Sequence, residues 1–154
     1  MMTNAQLIQT LQRHNVRPSV HRIAVLEYVV NHGTHPTADE VYSAVAADFP
    51  SVSRTTVYNS LHTLVDAGLL RELDMESSNM RYDMTLQMPH SHFRCTRCGK
   101  IYDMELPAGL ERMVKPGFIV NITDLHFSGL CPDCAGKSSD NPNQAHINFN
   151  TDKK

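Results

Sequence analysis

Residues 37–73 read TADEVYSAVAADFPSVSRTTVYNSLHTLVDAGLLREL, and the apolar periodicity changes twice within them. Thr37 stands where a helix N-cap belongs, and Val41, Tyr42 and Val45 form a stripe until Phe49-Pro50 stops the helix. Ser53 caps a second helix whose Val57, Leu61, Leu64 and Val65 recur at helical spacing, and Gly68 sits where a C′ glycine belongs. Two short strand-like runs follow, Leu69-Leu70-Arg71-Glu72-Leu73 and Met80-Arg81-Tyr82-Asp83-Met84, around a polar turn at Met75–Asn79. Two helices joined by the short Phe49-Pro50-Ser51-Val52 turn and followed by a hairpin predict a winged helix-turn-helix.

Working outward, two more helices precede this unit. Thr3 opens one that carries Leu7, Ile8 and Leu11 to about His14; Pro18-Ser19 opens another that closes at Asn31-His32-Gly33. The character of the chain changes near residue 85, after which all four Cys occur. Strands are expected near His92–Arg94 and Lys100–Met104, a helix from about Pro107 to Val114, and a strand over Phe118–Thr123. Polar, turn-rich residues from Ala135 onward read as a disordered tail. The whole chain has 154 residues, 41% hydrophobic and 19% charged, a globular composition. No apolar run is long enough to span a membrane, and the start Met1-Met2-Thr3-Asn4 carries neither a basic nor an apolar block, so a cytoplasmic protein without a leader is expected.

Two groups of candidate metal ligands stand apart in chemistry. Cys95-Thr96-Arg97-Cys98 and Cys131-Pro132-Asp133-Cys134 form two knuckles, each able to bring two thiolates to one ion, which together predict a closed, structural zinc shell. Positions 99–130 between them span 32 residues, more than the roughly 15–20 usual for a zinc ribbon, and a small domain can be inserted there without changing the geometry. Free core cysteines and a thiol redox pair are the alternatives. The second group is His35, Asp83, His90, His92 and Asp103. Alternation along His90-Ser91-His92 puts both imidazoles on one side of an extended segment. Imidazole and carboxylate without thiolate suit Fe(II), Mn(II) or Zn(II). The same histidines could equally be ordinary surface or loop residues.

The fourth helix also carries Arg54, Thr55, Tyr58, Asn59 and His62 away from its apolar stripe, a hydrogen-bonding face nearly free of acids. It reads either as a solvated face or as a DNA-reading one. The net charge of −2 supplies no global attraction for nucleic acid, so any DNA contact needs a local basic face.

The chain closely resembles the ferric uptake regulator family of metal-dependent bacterial repressors from about Leu7 to Cys134. Matching segments are Arg17-Pro18-Ser19 with Arg22, His35-Pro36-Thr37-Ala38-Asp39-Glu40-Val41-Tyr42, Ser53-Arg54-Thr55-Thr56-Val57-Tyr58-Asn59, Arg81-Tyr82-Asp83, His90-Ser91-His92-Phe93-Arg94-Cys95, Cys98-Gly99-Lys100-Ile101-Tyr102-Asp103 and the last knuckle. Within the family it is most similar to the peroxide-sensing branch. That branch holds its regulatory Fe(II) or Mn(II) with three His and two Asp, matching His35, Asp83, His90, His92 and Asp103, where iron-sensing members typically have Glu for the two Asp. Asn59 also resembles that branch.

The resemblance implies an α+β chain: an N-terminal winged helix-turn-helix domain plus a small α/β dimerisation domain with structural zinc. Its expected division is residues 1–84 for DNA binding, 85–89 as hinge, 90–136 for dimerisation and metal binding, and 137–154 as tail. It implies a homodimer on double-stranded DNA with an A·T-rich inverted repeat. Tyr58 and Asn59 would meet bases with Arg54 and Thr55 beside them, Arg17 would enter the minor groove, and Arg22 would touch phosphate. It further implies one structural Zn²⁺ and one regulatory Fe²⁺ or Mn²⁺ per subunit, with peroxide sensed by oxidation of His35 and His90 to 2-oxo-histidine. Pro89 and Ser91 cannot supply the additional site of iron-sensing relatives, and His126 is expected as a satisfied structural histidine. An iron- or manganese-responsive regulator of metal uptake is the alternative. A mononuclear Fe(II) enzyme is a distant one, since five protein ligands leave at most one open position and a winged helix has no catalytic use.

Overall fold

A computed structural model of the chain describes residues 1–73, 80–85, 90–120, 123 and 125–136. Four helices come first: α1 (Asn4–Arg13), α2 (Val20–His32), α3 (Ala38–Asp48) and α4 (Arg54–Asp66). Each starts at the foreseen cap. Thr3 and Thr37 form capping boxes with Gln6 and Glu40, while Ser19 and Ser53 accept from the third backbone amide beyond them. α4 ends in a Schellman arrangement: Leu69 N–H bonds Leu64 O, Gly68 N–H bonds Val65 O, and Gly68 adopts a φ of 69°. This turn aims the chain directly into the hairpin.

The hairpin strands β1 (Leu70–Leu73) and β2 (Arg81–Met84) pair antiparallel, with Arg71 opposite Asp83 and Glu72 opposite Tyr82. The tip expected at Met75–Asn79 lies outside the described residues. A single apolar core joins Leu7 and Leu11 of α1, Val25 and Leu26 of α2, Val41 of α3, Val57, Leu61 and Leu64 of α4, and Leu70 of β1. The winged helix-turn-helix is therefore held by one continuous interior, and α4 turns the opposite face to solvent.

The second sheet has the order β4-β3-β5, from β3 (His90–Cys95), β4 (Ile101–Glu105) and β5 (His126–Gly129). β3 pairs antiparallel with β4 and parallel with β5. A short helix α5 (Pro132–Ala135) carries the last knuckle. Its buried core is Cys95, Cys131 and Cys134 with Phe93 and Tyr102 packed around them. Among the described residues this apolar interior is small for a three-stranded sheet.

Two expectations are corrected here. The helix over Pro107–Val114 is only a 3₁₀ turn at Leu110–Met113, preceded by Gly109 at a φ of 84°. Residues 118–120 form no strand and stay exposed, Ile119 by 90%; the third strand arises at β5 instead. His126, expected as a satisfied structural histidine, is exposed on that strand with its ring stacked on His92 at 5.8 Å. The tail from 137 onward and most of the expected hinge, residues 86–89, lie outside the described residues.

Candidate metal centres and DNA-facing surface

The four cysteines meet. Their Sγ atoms all lie within 4.8 Å of one another, and Cys98 Sγ is 3.8 Å from Cys131 Sγ. Thiolates held at about 2.3 Å around one tetrahedral zinc are about 3.8 Å apart, so the spacing fits the ion. The peptide chain is also arranged for thiolates. Cys131 N–H donates to Cys95 Sγ at 3.3 Å, and such backbone donors bring the Cys95 thiol down to about 6. The Tyr102 hydroxyl bonds Cys131 and lowers its thiol too, whereas burial pushes Cys134 up to about 12. Tyr102 is a functional contact that sequence reading missed; its place on the strand after the first knuckle was the available signal.

The second group assembles where the two sheets meet. His35 lies in the loop between α2 and α3, Asp83 on β2, His90 and His92 on β3, and Asp103 on β4. Asp103 is the direct cross-strand partner of His92, which places both on one face. His35 Nε2 is 3.0 Å from Asp103 Oδ1 and 3.6 Å from Asp83 Oδ1. His90 Nε2 and His92 Nε2 are 3.2 and 3.5 Å from Asp83 Oδ2 and 3.1 Å from each other. Ligand atoms around one ion with bonds of about 2.1 Å must lie about 3.0 to 4.2 Å apart, which these do. His35, His90, His92 and Asp103 satisfy a mutual limit of 4.8 Å; Asp83 sits at the edge of that group, drawn toward Arg71.

Protonation favours the same conclusion. His35 is 3% exposed, and neither ring nitrogen has a hydrogen-bond partner among the described residues. Burial lowers its pKa despite the pull of Asp83 and Asp103, so the ring is neutral near pH 7. Burial alone would raise the Asp83 pKa, but hydrogen bonds from His92 and Arg71 hold it far below the carboxylate range. A neutral imidazole beside a charged carboxylate is the state a metal takes. His35 also has a φ of 49°, unusual for a residue with a side chain. Arg81 Nη1 donates to its carbonyl at 2.9 Å, and Tyr82 N–H bonds Pro36 O at 3.0 Å, so the hairpin holds the loop in that conformation.

Away from the apolar stripe of α4, Arg54, Thr55, Tyr58, Asn59 and His62 are all exposed. Asp39 of α3 approaches this face: it pairs with Arg54 and lies 3.5 Å from the Tyr58 hydroxyl, while Arg54 also sits 4.5 Å over the Tyr42 ring. Sequence reading missed that acid because it lies on a different helix. Arg17 is exposed, whereas Arg22 folds back so that Nη1 donates to Arg17 O at 2.5 Å.

Comparison with known proteins agrees with this architecture. The sequence profile of the ferric uptake regulator family matches residues 13–116. The chain is 37% identical over 139 residues to the peroxide operon regulator of Bacillus subtilis (strain 168), covering 87% of this chain and 94% of that one. It is 37% identical over 134 residues to the peroxide-responsive repressor PerR of Staphylococcus aureus (strain USA300), covering 84% and 90%. The fold superposes on the ferric uptake regulator Fur of Helicobacter pylori with a TM-score of 0.74 and 21% identity, over 90% of this chain and 97% of that one.

Proposed function

Because the chain belongs to the ferric uptake regulator family, we propose that it is a dimeric, metal-dependent transcriptional repressor that senses hydrogen peroxide. Family membership places it among transcriptional regulators, not enzymes. The observation that carries the peroxide reading is the convergence of three imidazoles with two aspartates, rather than glutamates, at the junction of the sheets. The relatives named for peroxide are 37% identical to this chain over the 139 and 134 residues they share with it. Cys95, Cys98, Cys131 and Cys134 hold the structural zinc; His35, Asp83, His90, His92 and Asp103 hold Fe(II) or Mn(II).

The division of labour follows from where these side chains originate. Residues 1–84 bind DNA, 85–89 form the hinge, and 90–136 dimerise. His35 and Asp83 belong to the first part, while His90, His92 and Asp103 belong to the second. Holding one ion with all five fixes the angle between the parts, and hence the spacing of two α4 helices across a dimer. That spacing must match a turn of DNA for an inverted repeat to be read. Tyr58 and Asn59 read bases with Arg54 and Thr55 beside them, Arg17 enters an A·T-rich minor groove, and Arg22 braces it near the phosphates. Met113, Phe118, Ile119 and Phe127 are exposed apolar side chains next to the second sheet, and a second copy of the chain covers them. Among the described residues no helix is long and apolar enough to cross a membrane, and a DNA-binding repressor works in the cytoplasm.

Bound Fe(II) would supply the electrons that reduce peroxide, which Mn(II) does far less readily. His35 and His90, two of the residues that would hold the iron, would then each be oxidised by peroxide to carry one added oxygen, with water as the other product, and would lose the basicity that makes them ligands. The parts then separate and the operator is released. The test compares operator binding by the Fe(II) and Mn(II) forms, with and without peroxide, alongside peptide mass spectrometry. One added oxygen on a His35 or His90 peptide in the Fe(II) form only, with parallel loss of binding, is the expected result. Unmodified histidines and binding governed by metal concentration alone would point to a regulator of metal uptake.

A further inference from the structure

One cation reaches into the His/Asp group from the wing. Arg71 on β1 is the direct cross-strand partner of Asp83 on β2. Its guanidinium grips Asp83 Oδ2 twice, from Nε at 2.9 Å and from Nη2 at 2.7 Å. The same Nη2 lies 3.1 Å from His90 Nε2 and 3.5 Å from His92 Nε2. A guanidinium has donors and no acceptor, so His90 Nε2 serves it as the acceptor and turns its lone pair toward Arg71. The Asp83 side chain is 7% exposed and that of Arg71 27%, so the ion pair is poorly screened but its cationic end borders solvent.

A divalent ion bound by these residues needs the electron pairs that Arg71 engages, those of His90 Nε2 and of an Asp83 carboxylate oxygen, together with His92 Nε2. One imidazole lone pair cannot serve both cations, and a fixed positive charge beside a divalent ion repels it. Resting on the reading of this group as the regulatory Fe(II)/Mn(II) centre, we propose that Arg71 is an internal competitor of the metal. Its guanidinium must swing off Asp83 and the imidazoles toward solvent before all five side chains can close on the ion. Arg71 thereby sets the metal concentration at which the repressor loads. Arg81 has no such role, because its bond goes to the His35 carbonyl, outside the ligand set.

The sign of the effect separates this role from a positioning one. A residue that merely orients Asp83 weakens metal binding when removed, whereas a competitor strengthens it. The experiment titrates Mn(II) into the zinc-replete full-length chain, following free Mn(II) by electron paramagnetic resonance at fixed pH and salt. Arg71→Met should bind Mn(II) about tenfold tighter than wild type, equivalent to about 1.4 kcal/mol. Arg71→Lys, which keeps the charge, should stay within about threefold of wild type. Without Mn(II), Arg71→Met should also melt at a lower temperature, since the buried Asp83 loses its counter-charge. Equal or weaker Mn(II) binding by folded Arg71→Met overturns the proposal, as does Arg71→Lys binding as tightly as Arg71→Met. If Arg71→Met does not fold, Arg71→Gln carries the same comparison. Failure of wild type to bind one Mn(II) per chain removes the regulatory reading itself, whereas wild-type binding without a difference in the variants removes only the competitor.

Discussion

Asp103 reaches the metal group from a strand whose backbone is fixed by five paired positions with β3, and its carboxylate lies 3.0 Å from His35 Nε2. One added methylene at such a site lengthens the reach without removing the charge. Asp103→Glu should therefore keep metal-dependent operator binding while blunting histidine oxidation, because the carboxylate would crowd the position that peroxide needs. Equal oxidation of Asp103→Glu and wild type, measured on His35 and His90 peptides, would sink the aspartate argument. At the same scale, Tyr58→Ala should lose discrimination between operator and random DNA by one to two orders of magnitude, while binding to random DNA changes little. Equal losses on both would refute base reading by Tyr58. The paired cysteines stood out by their spacing, whereas His35, Asp83, His90, His92 and Asp103 were favoured as ligands only through the family resemblance, because isolated histidines and aspartates are ordinary on a surface. Arg71, Arg81 and Asp39 were not legible, because each acts through a partner distant in sequence: Asp83, the His35 carbonyl and Arg54.

Among the elements, the four helices and the hairpin could be read closely because their signals are local. Caps, apolar spacing and Gly68 all lie within a few residues of the boundary they set. The second sheet was harder for the opposite reason. β5 pairs in parallel with β3 across more than 30 residues, and nothing near His126–Gly129 announces it. The alternating run over Phe118–Thr123 imitates a strand, but residues 118–120 of it join no ladder and expose their apolar side chains. What holds β3, β4 and α5 together is the cysteine group more than apolar packing. Cys95→Ser should therefore release zinc, lower the melting temperature markedly and convert the dimer to monomer, since thiolate–zinc binding is part of the folding energy. A strong chelator should do the same to wild type. A zinc-replete Cys95→Ser dimer that melts like wild type would remove the structural assignment.

For the molecule as a whole, the metal group is the point at which the wing, the α2–α3 loop and the second sheet all meet. The loop is tied to the wing by Arg81 and by the Tyr82–Pro36 bond, so His35 and Asp83 move together as one side of the clasp. His90, His92 and Asp103 form the other side on β3 and β4. An ion can shift the relation between the sides only through its differential affinity for the closed arrangement, and that requires ligands from both. At about 100 times its dissociation constant, such an ion adds about 2.7 kcal/mol to the state it prefers. His35→Ala removes one side's buried imidazole and leaves the zinc site and apolar face intact. It should remain a zinc-replete dimer, yet show no gain in melting temperature on adding Mn(II) and at least a tenfold weaker Mn(II)-dependent affinity for operator. Small-angle scattering should show wild type becoming more compact with Mn(II) and His35→Ala unchanged. A His35→Ala protein that compacts and binds operator like wild type would mean that the second sheet alone carries the metal response, and the clasp would have to be abandoned.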